Sequence, residues 1–141
     1  MTTVVTSQAP DAKPVGKSLE LTTNWTSLIT VPNYEIPDET FGGLTIIVPG
    51  VAEIISPLLV CNKSASTAKV SIRIFRAETS SIFTIANLMP IGSNDILPIP
   101  LNGQFIYTGD ILEVKADVNS ALDVTISYTL GQAEQDDVPG A

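Results

Sequence analysis

The sequence predicts an all-β domain, an antiparallel β-sandwich or jelly-roll-like barrel of about eight strands, and three observations predict it. Residues 69–76, 112–118 and 122–130 alternate apolar and polar side chains with period two. Gly, Pro, Asn and Ser punctuate the chain at short intervals. No segment carries an apolar stripe at helical spacing.

Residues 1–17, rich in Thr, Ser, Ala and Pro, have little periodicity and read as a flexible arm. The sandwich domain is expected over 18–132, followed by an acidic tail at 133–141. Within the domain, 25–31 (WTSLITV) reads as a strand. Residues 44–48 (LTIIV) and 54–61 (IISPLLVC) are nearly continuous apolar runs, which suit strands covered on both faces. Pro57 implies an edge position or a bulge in the second run. Over 69–76, Val70, Ile72 and Ile74 alternate with Lys69, Ser71 and Arg73. Residues 81–88 (SIFTIANL) fit helix or strand by pattern, and their β-branched and aromatic content favours strand. Pro98 and Pro100 make 96–101 an edge strand or an extended connector. Residues 104–107 lead into a turn at Thr108, Gly109 and Asp110. Leu112, Val114, Ala116 and Val118 then alternate with Glu113, Lys115 and Asp117. Leu122, Val124, Ile126, Tyr128 and Leu130 alternate with polar partners. Asn119, Ser120 and Ala121 link these last two strands, and the expectation is a β-hairpin.

The chain has 141 residues, one domain's worth, with 44% hydrophobic and only 16% charged residues. Its net charge is −8, and Lys and Arg together number 7. That is poor material for neutralising phosphates, so direct nucleic-acid binding is excluded, and so is an anionic membrane surface. A single cysteine, Cys61, rules out an intramolecular disulfide, and its apolar setting (PLLVCN) predicts a buried, inert thiol. The first residues lack a basic segment followed by an apolar one, so the expectation is a soluble protein, intracellular at synthesis. The apolar runs at 44–51 and 54–60 are too short to span a bilayer.

Histidine is absent. That removes the usual general base, the Ser-His-Asp and Cys-His arrangements and the commonest metal ligand. Asp110, Glu113, Asp117 and Asp123 lie close in sequence, and a carboxylate pair can hydrolyse glycosides. Glu113, Asp117 and Asp123 fall on outward positions, however, and read as a solvated face, with Asp110 in a turn. Asn94 and Asp95 lack the spacing of a calcium loop. Phe41, Gly42 and Gly43 precede a strand, so these glycines supply backbone freedom and no phosphate cradle. Asn24 and Asn62 head sequons but read as turn residues. Among the aromatics, Tyr128 belongs to the core. Phe75 falls on the polar side of its strand, either under a loop or offered to a partner. Trp25, Tyr34, Phe83, Phe105 and Tyr107 form no recognisable platform. No catalytic, cofactor-binding or metal-binding residue is assigned, no cofactor is expected, and the protein is expected not to be an enzyme.

The body resembles small β-sandwich virion proteins of tailed bacteriophages, of the type found in phages of marine and cyanobacterial hosts. The resemblance rests on LLVCNKSASTAKVSIRIFR (58–76), PIPLNGQFIYTGDILEVKAD (98–117) and ALDVTISYTLGQ (121–132), and covers at most residues 44–132. It implies a virion component made in the host cytoplasm, and it brings no functional residues with it.

The leading expectation is therefore a non-enzymatic virion structural subunit: a capsid decoration, neck, collar or tail component. It would pack against other virion proteins and form a homo-oligomer through edge strands and apolar patches. The alternative is a carbohydrate- or receptor-binding sandwich, which predicts a concave aromatic or calcium-lined site on one copy. A hydrolase would need two acids facing one cleft, about 5–10 Å apart.

Overall fold

The computed structural model describes residues 13–38 and 42–133. These residues form twelve strands and no helix. In chain order the strands are β1 (Lys13–Glu20), β2 (Thr26–Thr30), β3 (Tyr34–Asp38), β4 (Leu44–Val48), β5 (Gly50–Ile54), β6 (Leu58–Asn62), β7 (Ala68–Arg76), β8 (Ser81–Ile91), β9 (Ile96–Ile99), β10 (Phe105–Tyr107), β11 (Ile111–Ala116) and β12 (Leu122–Gln132). Every pairing between them is antiparallel. The all-β class expected from the alternating segments is the class found.

One sheet contains six strands and the other four, the latter in the order β2-β11-β7-β8. In the larger sheet Val124 pairs with Leu19 on one side and Val60 on the other, and Tyr128 pairs with Val15 and Ile54. Hence β5 and β6 lie end to end along one side of β12, with β1 along the other. Strands β10 and β9 continue end to end beyond them, against β5 and β6 respectively. The run 54–61 is thus a strand interrupted at Pro57, where the ring removes a donor. There the Ile55 N–H donates to the Ser127 carbonyl (3.0 Å), and the Ser127 N–H donates to Ser56 Oγ (2.9 Å).

The inward faces of the two sheets share one apolar core. Leu28, Ile72, Leu112 and Val114 of the smaller sheet meet Ile54, Leu58, Val60, Leu122 and Ile126 of the larger, all essentially inaccessible to solvent. Tyr128 belongs to this core as expected, and its burial pushes the phenol up from its ordinary pKa. Gly50 sits where the chain passes between sheets: a Cβ there would stand 2.6 Å from the Pro32 carbonyl oxygen.

Several expectations are corrected. Strands β11 and β12 are not a hairpin, because β11 pairs with β2 and β7 while β12 pairs with β1, β5 and β6. Each has one apolar face, and that pattern is satisfied equally by pairing edge to edge or by facing across the core. Residues 117–121 cross between the sheets instead. They are held by Ser120 at φ 62° and by the Thr23 N–H donating to Asn119 Oδ1 (2.9 Å). Strand β4 is not covered on both faces. It pairs only with β3, in a two-stranded hairpin apart from both sheets, and Leu44 and Ile47 are each 66% exposed. A continuous apolar run shows that both faces are apolar, not that its own chain covers them. Residues 13–17, assigned to the arm, belong to β1, whose backbone pairs with β12 from Lys13↔Leu130 to Glu20↔Asp123. The rest of that segment, 1–12, lies outside the described residues. Ala133, assigned to the tail, is buried, and its N–H donates to the Pro49 carbonyl (3.0 Å); 134–141 lie outside the described residues. Strands β1, β3 and β5 account for most of the excess over eight.

Candidate functional site

The residues that sequence reasoning singled out for chemistry are dispersed, each with a partner of its own. Asp110 is buried and locks the turn after β10: Oδ1 accepts from the Ala77 N–H (2.9 Å), and Oδ2 accepts from the Tyr107 N–H (3.1 Å) and Arg76 Nη1 (2.9 Å). Glu113 pairs with Arg73 (2.9 Å). Asp117 Oδ1 accepts from the Lys69 N–H (2.8 Å), and Asp123 pairs with Lys63 (3.0 Å) on the other sheet. Among the described residues no three acidic or cysteine side chains gather as metal ligands. Asn94, at φ 61°, sits in the turn before β9. Cys61 is half-buried on the outward side of β6 and lines a shallow hollow with Leu59 and Ile96, so it is not the core thiol expected. Alternation explains this: Val60 and Asn62 point inward, so Cys61 must point out.

Asn62 is fully buried. Its Nδ2 donates to the Ser66 carbonyl (2.9 Å) and the Ile91 carbonyl (2.8 Å), and Oδ1 accepts from Ser64 N–H (2.9 Å) and Oγ (2.7 Å). It ties β6 to the far end of β8 and is a structural group, but as the buried last residue of a strand and not the turn residue expected. Gly42, at φ 73°, and Gly43, at φ 85°, supply the left-handed backbone expected of them before β4, while Phe41 lies outside the described residues.

Among the described residues, strand β8 is an apolar border of the surface. It closes one side of the smaller sheet. Its eleven residues, SIFTIANLMPI, include no charge. Ile82 and Phe83 are each 54% exposed, and Leu88 and Met89 are also exposed. From Ser81↔Arg76 to Thr84↔Arg73 the register with β7 is regular; beyond that it shifts twice. At the second irregularity Leu88 takes φ 51°, and its N–H donates to the buried Ser71 Oγ (3.0 Å). Ile82 lies opposite Phe75, which is half-buried on the outer face beside it. On the same outer face the Arg73 guanidinium lies 3.9 Å from the Trp25 ring centre, and Lys115 lies 4.8 Å away.

Phe83 lies opposite the inward-facing Ile74 and so leans toward the opening between the sheets. There β8 and β10 border a groove made of two adjoining hollows of about 450 and 480 Å³, which share Arg76, Phe83 and Gln104. Phe105 and Tyr107, two residues apart on β10, stand with ring centres 6.3 Å apart and planes 20° from parallel. Arg76 crosses the opening and donates to the Phe105 carbonyl (2.7 Å) as well as to Asp110. Sequence reasoning missed this grouping. The one available signal was the Phe-x-Tyr alternation in 104–107; the pairing of β10's side of one sheet with β8's side of the other has no local signature.

No protein-family model matches the sequence, and neither does any curated protein. Among solved structures, a chain of the T13 IBDV viral particle is similar at TM-score 0.42 and 10% identity, over 94% of this chain and 34% of that one. The VP2 subviral particle of infectious bursal disease virus gives TM-score 0.39 and 10% identity, over 94% and 35%. The N-terminal CBM22-1-GH10 modules of Clostridium thermocellum xylanase 10B give TM-score 0.31 and 12% identity, over 90% and 29%. The chain thus spans about a third of each of these proteins. At these TM-scores the likenesses carry no argument, and the fold rests on the strand pairing itself.

Proposed function

We propose that this chain is a non-enzymatic structural subunit of a virion, acting by packing against copies of itself and against other virion proteins. The observation that carries the reading is the uncharged, apolar border formed by β8. An unprotected strand of this kind is a template for pairing with another chain. The β3–β4 hairpin adds to it, since two strands alone are marginal in water and Leu44 and Ile47 stand exposed. Covering Ile82, Leu88 and Met89 of β8, already about half shielded, contributes roughly 1 kcal/mol each. That total falls short of the about 4–15 kcal/mol that association costs. A stable assembly therefore needs several contacts per subunit, as a closed ring or a lattice provides.

The resemblance of residues 44–132 to small virion proteins of tailed bacteriophages supports a capsid decoration, neck, collar or tail position. The absence of histidine and the separate partners of Asp110, Glu113, Asp117 and Asp123 support a role without catalysis. Light scattering on the purified protein tests the reading: a discrete multimer is expected, and a monomer persisting at high concentration would overturn it. Imaging of particles carrying this subunit with a label then locates it.

A further inference from the structure

We infer that the groove between β8 and β10 is a binding site for a neutral oligosaccharide. The floor is apolar, from Ile74, Ile85 and Leu101, and Phe83 and Phe105 border it as exposed rings. Polar groups stand around the rim. The Gln104 amide, the Glu78 carboxylate and the Thr79 hydroxyl make no side-chain hydrogen bond with other described residues. Partly exposed aromatic rings beside uncommitted amide, carboxylate and hydroxyl groups suit a sugar, because a pyranose has an apolar C–H face and a belt of hydroxyls. The hollow volumes fall within the range of small-ligand sites, roughly 300–1,000 Å³.

The charge pattern selects a neutral ligand. Arg76 is the one cation lining the groove, and Nη1 is already bonded to Asp110 and the Phe105 carbonyl. With Glu78 present as well, the formal balance is negative, so phosphate, sulfate and sialic acid are disfavoured. The groove is also held in shape before any ligand arrives. Gly103 at φ 94° lets the chain turn, with the Gln104 N–H donating to the Leu101 carbonyl (3.1 Å) and the Gly103 N–H to the Ile54 carbonyl (2.8 Å). A preformed site avoids part of the ordering cost of binding.

The test is calorimetric titration of the full chain with tetrasaccharides of glucose, mannose, galactose and N-acetylglucosamine, and with a sulfated tetrasaccharide as the anionic control. Binding by at least one neutral tetrasaccharide, at a Kd of about 1 mM or tighter, is expected. Phe105→Ala and Gln104→Ala should each weaken it by about tenfold or more. Both should leave the melting temperature and the mass by light scattering unchanged, which separates this site from subunit packing. Three outcomes would overturn the inference: no binding of any neutral tetrasaccharide, preferential binding of the sulfated one, or a change of multimer mass in Phe105→Ala, which would make the groove a protein interface.

Discussion

Strands β1 and β8 each close one side of a sheet, yet they treat the exposed backbone differently. On β1 the exposed positions carry Lys13, Pro14, Gly16, Lys17, Ser18 and Glu20. Lys63 bridges from the loop after β6 to Glu20 and to Asp123 on β12. Charge, a proline and a glycine on an outer strand are the usual defences against pairing with another chain. On β8 there is no charge, and its defences are two register shifts and Pro90, all beyond Thr84. The stretch Ser81–Thr84 is left regular and apolar. Strand β1 thus carries defences against pairing along its length while part of β8 does not, and the proposed assembly rests on this asymmetry.

The largest expected effect comes from exchanging these defences. Ile82→Lys places a charge on the regular part of β8 and should weaken self-association about a hundredfold, or roughly 3 kcal/mol, read as loss of the multimer by light scattering. Lys17→Ile on β1 should leave the multimer intact and instead lower solubility. If both substitutions shift the mass alike, the asymmetry between the two sides is wrong.

Next is the anchor at the far end of β8. Asn62→Ala removes the two bonds donated to the Ser66 and Ile91 carbonyls, the second of them buried, and empties a fully buried polar position. The cost should be roughly 3 kcal/mol of stability, read from the midpoint of urea unfolding. Asn24→Ala, in the loop before β2, is the matched control and should cost less than about 1 kcal/mol.

Much of this architecture is legible in the sequence because alternation is local. The period-two pattern of Val70, Ile72 and Ile74 marks β7, and that of Leu122 to Leu130 marks β12, without knowledge of any neighbour. What alternation leaves open is which strand lies beside which. Both β11 and β12 have one apolar face, so their lying on opposite sheets is decided by β2, β5 and β7, which compete for the same borders. Strand β1 was hidden for a different reason. In KPVGKSLE only Val15 and Leu19 pack against the core, too sparse a pattern for composition to reveal, and the backbone ladder to β12 does the rest. The groove was hidden because Phe83 and Phe105, though 22 positions apart in the chain, meet only when two sheets close.

The irregular part of β8 offers a smaller effect of opposite sign. Leu88 holds φ 51°, a conformation that costs a branched L-residue roughly 1–2 kcal/mol. Leu88→Gly relieves this strain and loses only a half-exposed side chain, so the free subunit should gain about 0.5–1 kcal/mol, set against the entropy of glycine. A rise in melting temperature with unchanged multimer mass would mean that Leu88 is not an assembly contact. A fall in multimer stability despite a more stable fold would mean that the strain is kept to present Leu88 to a partner.

The smallest effect belongs to the protected side. The hydrogen bond and charge of Lys63 hold the Glu20 carboxyl below its ordinary value, and Glu20 and then Asp123 raise the Lys63 ammonium above its own. Glu20 therefore contributes stability that is fully present above the ordinary carboxylate pKa and is lost as pH falls through its lowered value. Lys63 contributes stability that is present below the ordinary ammonium pKa and is lost as pH rises through its raised value. Both groups are solvent-exposed, so screening makes the effect slight and salt should erase it. Glu20→Gln should flatten the acid limb of a melting-temperature profile at low salt by a small margin and leave multimer mass untouched. Were that substitution to alter assembly, β1 would be a contact strand, and charge there would be recognition and not defence.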